Sequence, residues 1–363
     1  MFLMVINIPY MDYSKHINSR SVNYLIPREL IKPVKLSLEN GRLNEDSIGW
    51  ARQPLVDCNV KGSYLRKKKW NYWCVTSPDV LFSATISHID YAAVMFVYIL
   101  DTKTLKFYEK TTLVPLGRNV HMPDGVHESV SFESKEMTIQ FKESGQTTSM
   151  FVHCPNFSGQ GKAIQAEILL TRPKEFESLN VVVPWSKERY QFTSKQPTIP
   201  ATGTIVWEGR EYQLSSDTAF GCLDFGRGKW KYSSVRNWAS ASGVVKGIHV
   251  GLNFGGKWTD GTGQNENGLV IDNRLHKIHE DIVWEYDTKD YMKPWKLESK
   301  YSNRVSLLFT PIFERIAKTE AVIIQSSVHQ MIGHFSGTVR TDEGEVIEIQ
   351  NMLGWAEDHM AKW

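Results

Sequence analysis

Apolar and polar residues alternate with a period of two along much of the chain. Val130 and Phe132 begin one such run, and Met137, Ile139 and Phe141 form the next. This period places successive side chains on opposite faces of an extended chain, so it predicts β-strands. Further strands are predicted at 147–152, 164–170, 179–183, 204–207, 244–254, 281–286, 305–310, 321–328 and 346–349.

Helical patterns are scarce, and only two short helices are predicted, at 27–30 and 355–362. Short strands separated by turn sequences such as 208–210 favour an all-β, antiparallel sandwich or barrel. Pro, Thr and Gly cluster at 196–203, which is typical of a domain boundary. We therefore expect an N-terminal extension (1–40), a first β domain (41–196) and a second β domain (197–363).

Charge and hydropathy exclude several classes of protein. The 363 residues include 42 Lys and Arg and 40 Asp and Glu, a net charge of +2 that argues against nucleic-acid binding. The longest apolar run, 91–100, is half of the ~20 residues that a membrane-spanning helix needs. The N-terminus has no basic segment typical of a signal peptide, and the four cysteines are scattered. We expect a cytoplasmic protein without an integral membrane segment.

Three motifs resemble known binding sites but fail on inspection. Residues 251–257 have the glycine and lysine spacing of a phosphate-binding loop, but Trp258 replaces the required Ser or Thr. His276 and His279 are three apart in a predicted strand, where they point to opposite faces and cannot share a metal. The basic run 66–69 is short and isolated, so a solvated strand edge is the simpler interpretation. We predict no metal site.

Chemistry-bearing residues concentrate between 220 and 295, where five of the 12 tryptophans lie among Asp, Arg, Asn and Glu. In the strand predicted at 244–254, one face is apolar, and the other carries glycines with His249 and Asn253. Glycine in a strand marks a sharp bend or the close approach of a ligand or another backbone. This face could therefore be the floor of a cavity or a barrel corner.

Asp224 and Arg227 lie three apart in a glycine-flanked segment. In an apolar cavity, Asp224 could act as a general acid toward a mostly apolar substrate, with its pKa set by burial and by Arg227. Alternatively, the two residues form a structural ion pair that fixes a turn. Asp260 and Glu266 are candidate second carboxylates, or they cap the loop that carries them.

Five groups of motifs closely resemble the bacterial domain-of-unknown-function family 2804. They are 49–54 with 66–73, 223–230 with 238–243, 251–267, 290–295 with 309–314, and 329–333 with 354–363. A remoter resemblance is to the two-domain lipocalin-like group of carotenoid hydratase and tocopherol cyclase. It implies two packed lipocalin-like barrels, with a ligand cavity in or beside the second. In the hydratases, an acidic residue near a Trp-Gly pair protonates a polyene, and 224–226 is the nearest match.

These observations lead to a hypothesis for the site. Asp224 would donate a proton, Arg227 would set its pKa, and His249 or Asn253 would orient the substrate. The tryptophans Trp230, Trp238 and Trp258 would line the pocket and stabilise a developing cation. The partner would be a lipophilic small molecule, with no cofactor, and the oligomeric state is left open.

Two alternatives remain at this stage. One is a lipophilic-ligand carrier without catalysis, which needs the cavity but not Asp224. The other is a carbohydrate-active enzyme, which needs two facing carboxyls roughly 5–5.5 or 6.5–9.5 Å apart.

Overall fold

The computed structural model describes residues 27–62, 65–321 and 324–362. Within these residues the only helix is a 3-10 turn, Glu45–Ser47. The first half contains β1 (Val34–Lys35), β2 (Trp50–Ala51), β3 (Val56–Asp57), β4 (Lys67–Thr76), β5 (Val80–His88), β6 (Ala92–Asp101), β7 (Phe107–Pro115), β8 (Val130–Glu133), β9 (Thr138–Ser144), β10 (Thr147–Cys154), β11 (Ile164–Thr171), β12 (Leu179–Pro184), β13 (Tyr190–Trp207), β14 (Arg210–Leu214) and β15 (Phe220–Lys229).

The second half contains β16 (Ser233–Val245), β17 (Ile248–Gly256), β18 (Gly268–Ile271), β19 (Arg274–Lys277), β20 (Ile282–Glu285), β21 (Trp295–Ser299), β22 (Val305–Ala321), β23 (Ile324–Arg340) and β24 (Val346–Lys362). Nearly all of the pairing is antiparallel, and two large sheets curl into half-barrels. The predicted all-β class, with two antiparallel units packed together, is confirmed. No helix in the described ranges is long and apolar enough to cross a membrane.

The first large sheet runs in the order β7-β6-β5-β4-β15-β13-β11-β10-β9-β8, with β2, β12 and β14 attached. Its curl depends on β13, whose register shifts between Gln196 and Ile199. Before this bulge β13 lies between β12 and β15. After it, Ile199 and Pro200 still pair with β15, and from residue 203 onward β13 lies between β11 and β14. A bulge bends the strand that carries it, so one long strand serves both parts of the sheet.

The second large sheet has nine strands in the order β19-β18-β17-β16-β24-β23-β22-β21-β20. The helix predicted at 355–362 is wrong, because these residues form the end of β24, hydrogen-bonded to β16 and β23. Ala, Glu, Met and Lys favour helices in isolation, but pairing on both sides overrides that preference. The helix predicted at 27–30 is also absent, and Glu29 instead forms a bridge with Trp50.

Two other boundaries differ from the prediction. The single strand expected at 244–254 is a hairpin, because Lys246 and Gly247 have φ of 52° and 85° and turn the chain between β16 and β17. The strand expected at 321–328 is split between β22 and β23, and residues 322–323 lie outside the described residues.

The chain passes from the first large sheet to the second between Lys229 and Ser233. The predicted boundary at residue 196 lies inside β13. The division into domains at 196 remains a prediction, and most of the extension at 1–40 lies outside the described residues. Each sheet surrounds an apolar core of its own. A third cluster joins the sheets, with Tyr72 and Tyr98 from the first packed near Trp238, Ile332 and Trp355 from the second.

Candidate functional site

A cavity of about 210 Å³ lies between the two sheets. On the first sheet its wall consists of two cross-strand rows on β4, β5, β6 and β7. One row is Tyr72, Thr85, Phe96 and Thr111, and the other is Trp70, Ser87, Val94 and Leu113. Because side chains alternate along a strand, positions two apart share this face. Thr111 and Leu113 are exposed, so the cavity opens beside β7.

The facing wall is built in the same way on β16, β24, β23 and β22. Its rows are Trp238, Glu357, Gln330 and Arg315, and Arg236, His359, Val328 and Ala317. Each strand therefore contributes two residues that are two positions apart. The result is a largely apolar, aromatic cavity that also carries charged side chains from six strands, namely Lys68, Lys69, Glu109, Asp224, Arg236, Arg315 and Glu357.

A hydrogen-bonded chain leads from the first sheet to Glu357 on the second. Tyr72 and Tyr98 share a hydrogen bond of 2.8 Å between their hydroxyls, and Tyr98 donates to Gln330 Oε1 at 2.9 Å. Gln330 Nε2 donates to Glu357 Oε2 at 3.4 Å. Glu357 is only 4% exposed, and burial raises the pKa of its carboxyl above the usual range. The carboxyl is thus held in place through one oxygen only.

Arg236 contacts the other oxygen of this carboxyl without a hydrogen bond. Its Nε lies 3.5 Å from Glu357 Oε1, but the Nε–H donates to His359 Nδ1 at 3.0 Å. Burial, together with the charges of Arg236 and Arg315, holds the pKa of His359 well below its ordinary value. A neutral His359 can accept from Arg236 and contact Ser326 Oγ at 2.9 Å through Nε2.

Asp224 lines the cavity as predicted, but its ionic partner is Lys195 on the neighbouring strand β13. Lys195 Nζ lies 2.9 Å from Asp224 Oδ1 and 3.5 Å from Glu266 Oε1, with all three side chains buried. Burial opposes the charge of Lys195, but the two carboxylates outweigh it and raise the pKa of the ammonium. Asp224 is therefore committed to a buried ion pair.

The predicted contact between Asp224 and Arg227 is wrong. Residues three apart in a strand point to opposite faces, and both residues belong to β15. The Arg227 guanidinium donates to the carbonyls of Pro123 and Trp70 and to Asn71 Oδ1. It is fully buried and is not among the cavity residues.

The predicted aromatic lining divides into two groups. Trp238 lines the cavity, and its indole N–H donates to Asn253 Oδ1 at 2.9 Å. Asn253 therefore positions Trp238 from behind the cavity wall. Trp230 and Trp258 stack on each other at 5.2 Å and pack against Trp185 in a separate cluster.

The remaining predicted site residues lie away from the cavity. His249 packs against Phe220 near the start of β17, and Asp260 is exposed on the following loop. Glu266 sits behind the wall, between Lys195 and the Trp258 indole N–H, which is 3.0 Å from its Oε2.

At Gly251, the glycine face of β17 packs against side chains of β13. A Cβ at Gly251 would lie 2.9 Å from atoms of Pro197 and Thr198, which form the β13 bulge. The close approach predicted from the glycines is thus to β13, and this face is not the floor of the cavity.

Sequence reasoning missed the facing wall almost completely. In the sequence, this wall corresponds to pairs of charged or aromatic residues two positions apart in a strand, as in Arg236 and Trp238, or Glu357 and His359. The second pair was obscured because 355–362 was predicted to be a helix. Lys195 carries no such signal, because its role depends on a neighbouring strand. In the described part of the chain, no group of His, Cys, Asp or Glu is placed to hold a metal ion.

Comparison with known proteins gives a family and a set of distant structures. A protein-family model described as Domain of unknown function (DUF2804) matches residues 27–363. None of the curated proteins matches the chain. A crystal structure of CghA with Sch210972 is 12% identical, with a TM-score of 0.48, over 84% of this chain and 90% of that one. Kievitone hydratase from Nectria haematococca is 10% identical, with a TM-score of 0.41, over 83% and 90%.

Proposed function

The chain belongs to the DUF2804 family, and because that description names no activity, we propose a function from the cavity: the protein binds a small lipophilic molecule between its sheets. The observation that carries this proposal is a cavity with aromatic and aliphatic walls in which most charged groups have ionic partners within the protein. Arg315 pairs with Glu109, Asp224 with Lys195, and Lys69 with Asp124. An uncharged ligand therefore fits better than an ionic one.

The size of the cavity supports a compact ligand. A cavity of roughly 150 Å³ with apolar walls can hold benzene. The cavity here is about 210 Å³ and opens beside β7, so a two-ring compound or a short isoprenoid chain fits it. The pair Asp224 and Glu266 does not suit glycoside hydrolysis, because the Lys195 ammonium lies between their carboxyls, where a glycosidic bond would have to sit.

The geometry favours Glu357 over Asp224 as the group that supplies a proton. Asp224 is engaged by Lys195, whereas Glu357 Oε1 has no hydrogen-bond partner among the described residues. A proton on Glu357 can add to an alkene carbon of the ligand, and water then adds to the resulting cation. The water returns one proton to the carboxylate, so the net change is an alkene and water giving an alcohol. Arg236 would stabilise the carboxylate formed in the first step.

The binding proposal is tested by filling the cavity. Ala317 lines it, whereas the adjacent Ile316 is 51% exposed on the opposite face of β22. We expect wild type and Ile316→Trp to bind naphthalene saturably in equilibrium dialysis, and Ala317→Trp to lose binding by at least tenfold. Val328→Phe fills the same row and is the second cavity variant. Absence of binding to wild type, or equal binding to the filled variants, would overturn the proposal.

The natural ligand is identified by mass spectrometry of an organic extract of the purified protein. A recovered alkene that wild type converts and Glu357→Gln only binds would support catalysis. A compound that both proteins bind and leave unchanged would support the carrier alternative. A recovered sugar would contradict the lipophilic assignment.

A further inference from the structure

The Arg236 guanidinium has hydrogen-bonding capacity that the protein does not use. Its contacts are made through Nε, which donates to His359 Nδ1 at 3.0 Å and lies 3.5 Å from Glu357 Oε1. Within the residues that the structure describes, neither terminal nitrogen, Nη1 or Nη2, has a hydrogen-bond partner. Arginine presents its N–H donors as a planar fork, so the donors on both terminal nitrogens remain available.

These terminal nitrogens are open to a ligand. The Arg236 side chain is 20% exposed, and Nη1 and Nη2 are not enclosed by protein atoms. The guanidinium lies between the two walls, with its Cζ 5.9 Å from the centre of the Trp70 ring on the first sheet. Both Arg236 and Trp70 line the cavity. The fork therefore faces the space that a ligand would occupy.

Two other cations of the cavity are engaged by carboxylates. Arg315 makes two hydrogen bonds to Glu109, at 2.9 and 2.7 Å. Lys69 Nζ donates to Asp124 Oδ1 at 2.6 Å. Arg236 differs from both, because its contact with a carboxyl is made through Nε alone and is not a hydrogen bond.

The chemistry of the fork and of its surroundings defines the group that fits it. Guanidinium N–H groups only donate, so the ligand must supply an acceptor. A carbonyl oxygen has two lone pairs and can accept from both terminal nitrogens. A ligand carboxylate would have to be desolvated and would lie beside the Glu357 carboxyl, where like charges repel. An uncharged carbonyl meets neither cost.

We infer that the ligand is an uncharged apolar molecule with a carbonyl group, such as a ketone, an ester or a lactone, and that Arg236 Nη1 and Nη2 donate to its oxygen. This inference rests on the proposed lipophilic-ligand function and narrows its chemistry. It makes Arg236 the residue that selects among lipophilic molecules, and it places the carbonyl end of the ligand beside Glu357.

The test measures the binding of two-ring probes by equilibrium dialysis at pH 7. The probes are 1-tetralone, tetralin, in which a methylene replaces the carbonyl, and the anion 1-naphthoate. We expect wild type to bind 1-tetralone about tenfold more tightly than tetralin, which corresponds to roughly 1.4 kcal/mol, and more tightly than 1-naphthoate. Arg236→Met removes the donors and should reduce the preference for 1-tetralone to less than about threefold, with tetralin binding little changed. Arg236→Lys keeps one charged donor and should give an intermediate preference.

Arg274→Met is the matched control, because the Arg274 side chain is 70% exposed and lies outside the cavity, and it should keep the full preference. Equal binding of tetralin and 1-tetralone to wild type, or tightest binding of 1-naphthoate, would overturn this inference while leaving lipophilic binding intact. A full preference in Arg236→Met would overturn the role of Arg236. If Arg236→Met also loses tetralin, its cavity is damaged, and a preference in Arg236→Lys equal to that of wild type would then overturn that role. Failure of all the probes to bind wild type would contradict the proposed function itself.

Discussion

At the scale of single residues, the buried charges beside the cavity depend on Lys195. Its ammonium is the shared partner of Asp224 and Glu266, and it lies 4.4 Å from the centre of the Trp238 ring. A buried ion pair contributes little net stability compared with an apolar replacement, but removing one member leaves the other charge uncompensated. The three groups should therefore be treated as one unit.

We expect Lys195→Met to lower the free energy of unfolding by about 3–5 kcal/mol, because it leaves two buried carboxyls without their cation. Urea denaturation monitored by tryptophan fluorescence would measure this change. Lys35→Met is the control, since Lys35 and its partner Glu39 are 69% and 79% exposed, and it should change stability by less than about 0.5 kcal/mol. A loss below about 1 kcal/mol for Lys195→Met would show that the carboxyls do not need it.

At the scale of strands, period-two alternation was a good guide wherever one face of a strand is buried. It located β11 and β20 to within about one residue, since alternate residues of each strand are exposed. It failed for 355–362, where three consecutive residues, 355–357, are buried and the composition resembles that of a helix. Asp224 and Trp238 were found because they lie in the segment 220–295, which is rich in Trp, Gly and charged residues, whereas the position of Glu357 in the cavity depends on β24.

The glycines of β17 correctly indicated a close approach, because at Gly251 a larger side chain would clash with a neighbouring segment. Gly251 lies against the β13 bulge, where Thr198 has φ of 60° and its backbone N–H donates to Ser242 Oγ at 2.9 Å. The bulge packs against the second sheet through this hydrogen bond, so it cannot move freely away from a new side chain. The sequence contained the glycine signal, but only the folded chain shows what approaches it.

We expect Gly251→Ala to lower the free energy of unfolding by about 1–3 kcal/mol, because a Cβ would lie 2.9 Å from Pro197 and Thr198. Gly243→Ala, on the neighbouring strand, is the matched control. Its nearest neighbour would be the flexible Met352 side chain at 3.3 Å, so a loss of less than about 1 kcal/mol is expected. Equal effects in urea denaturation would rule out a steric constraint at the bulge.

At the scale of the whole molecule, the cavity exists because two curled sheets are held together at its edges. Tyr72, Trp238 and Trp355 pack edge to face across the join, with ring centres 5.3–6.2 Å apart. Beside the mouth, Arg315 of β22 reaches Glu109 of β7 through two hydrogen bonds. The aromatic contact and the ion pair therefore both link the two sheets beside the cavity.

The link between Arg315 and Glu109 can be measured by a double-mutant cycle. The Arg315 side chain is 6% exposed and that of Glu109 is 18% exposed, and a well-shielded bidentate pair interacts more strongly than a surface pair. We expect a coupling energy of about 1–3 kcal/mol between Arg315→Ala and Glu109→Ala in urea denaturation. The control cycle is Lys296 with Glu298, whose side chains are 47% and 37% exposed, and its expected coupling is below about 1 kcal/mol. If the two cycles agree, the ion pair does not hold the sheets together, and the aromatic join alone must define the cavity.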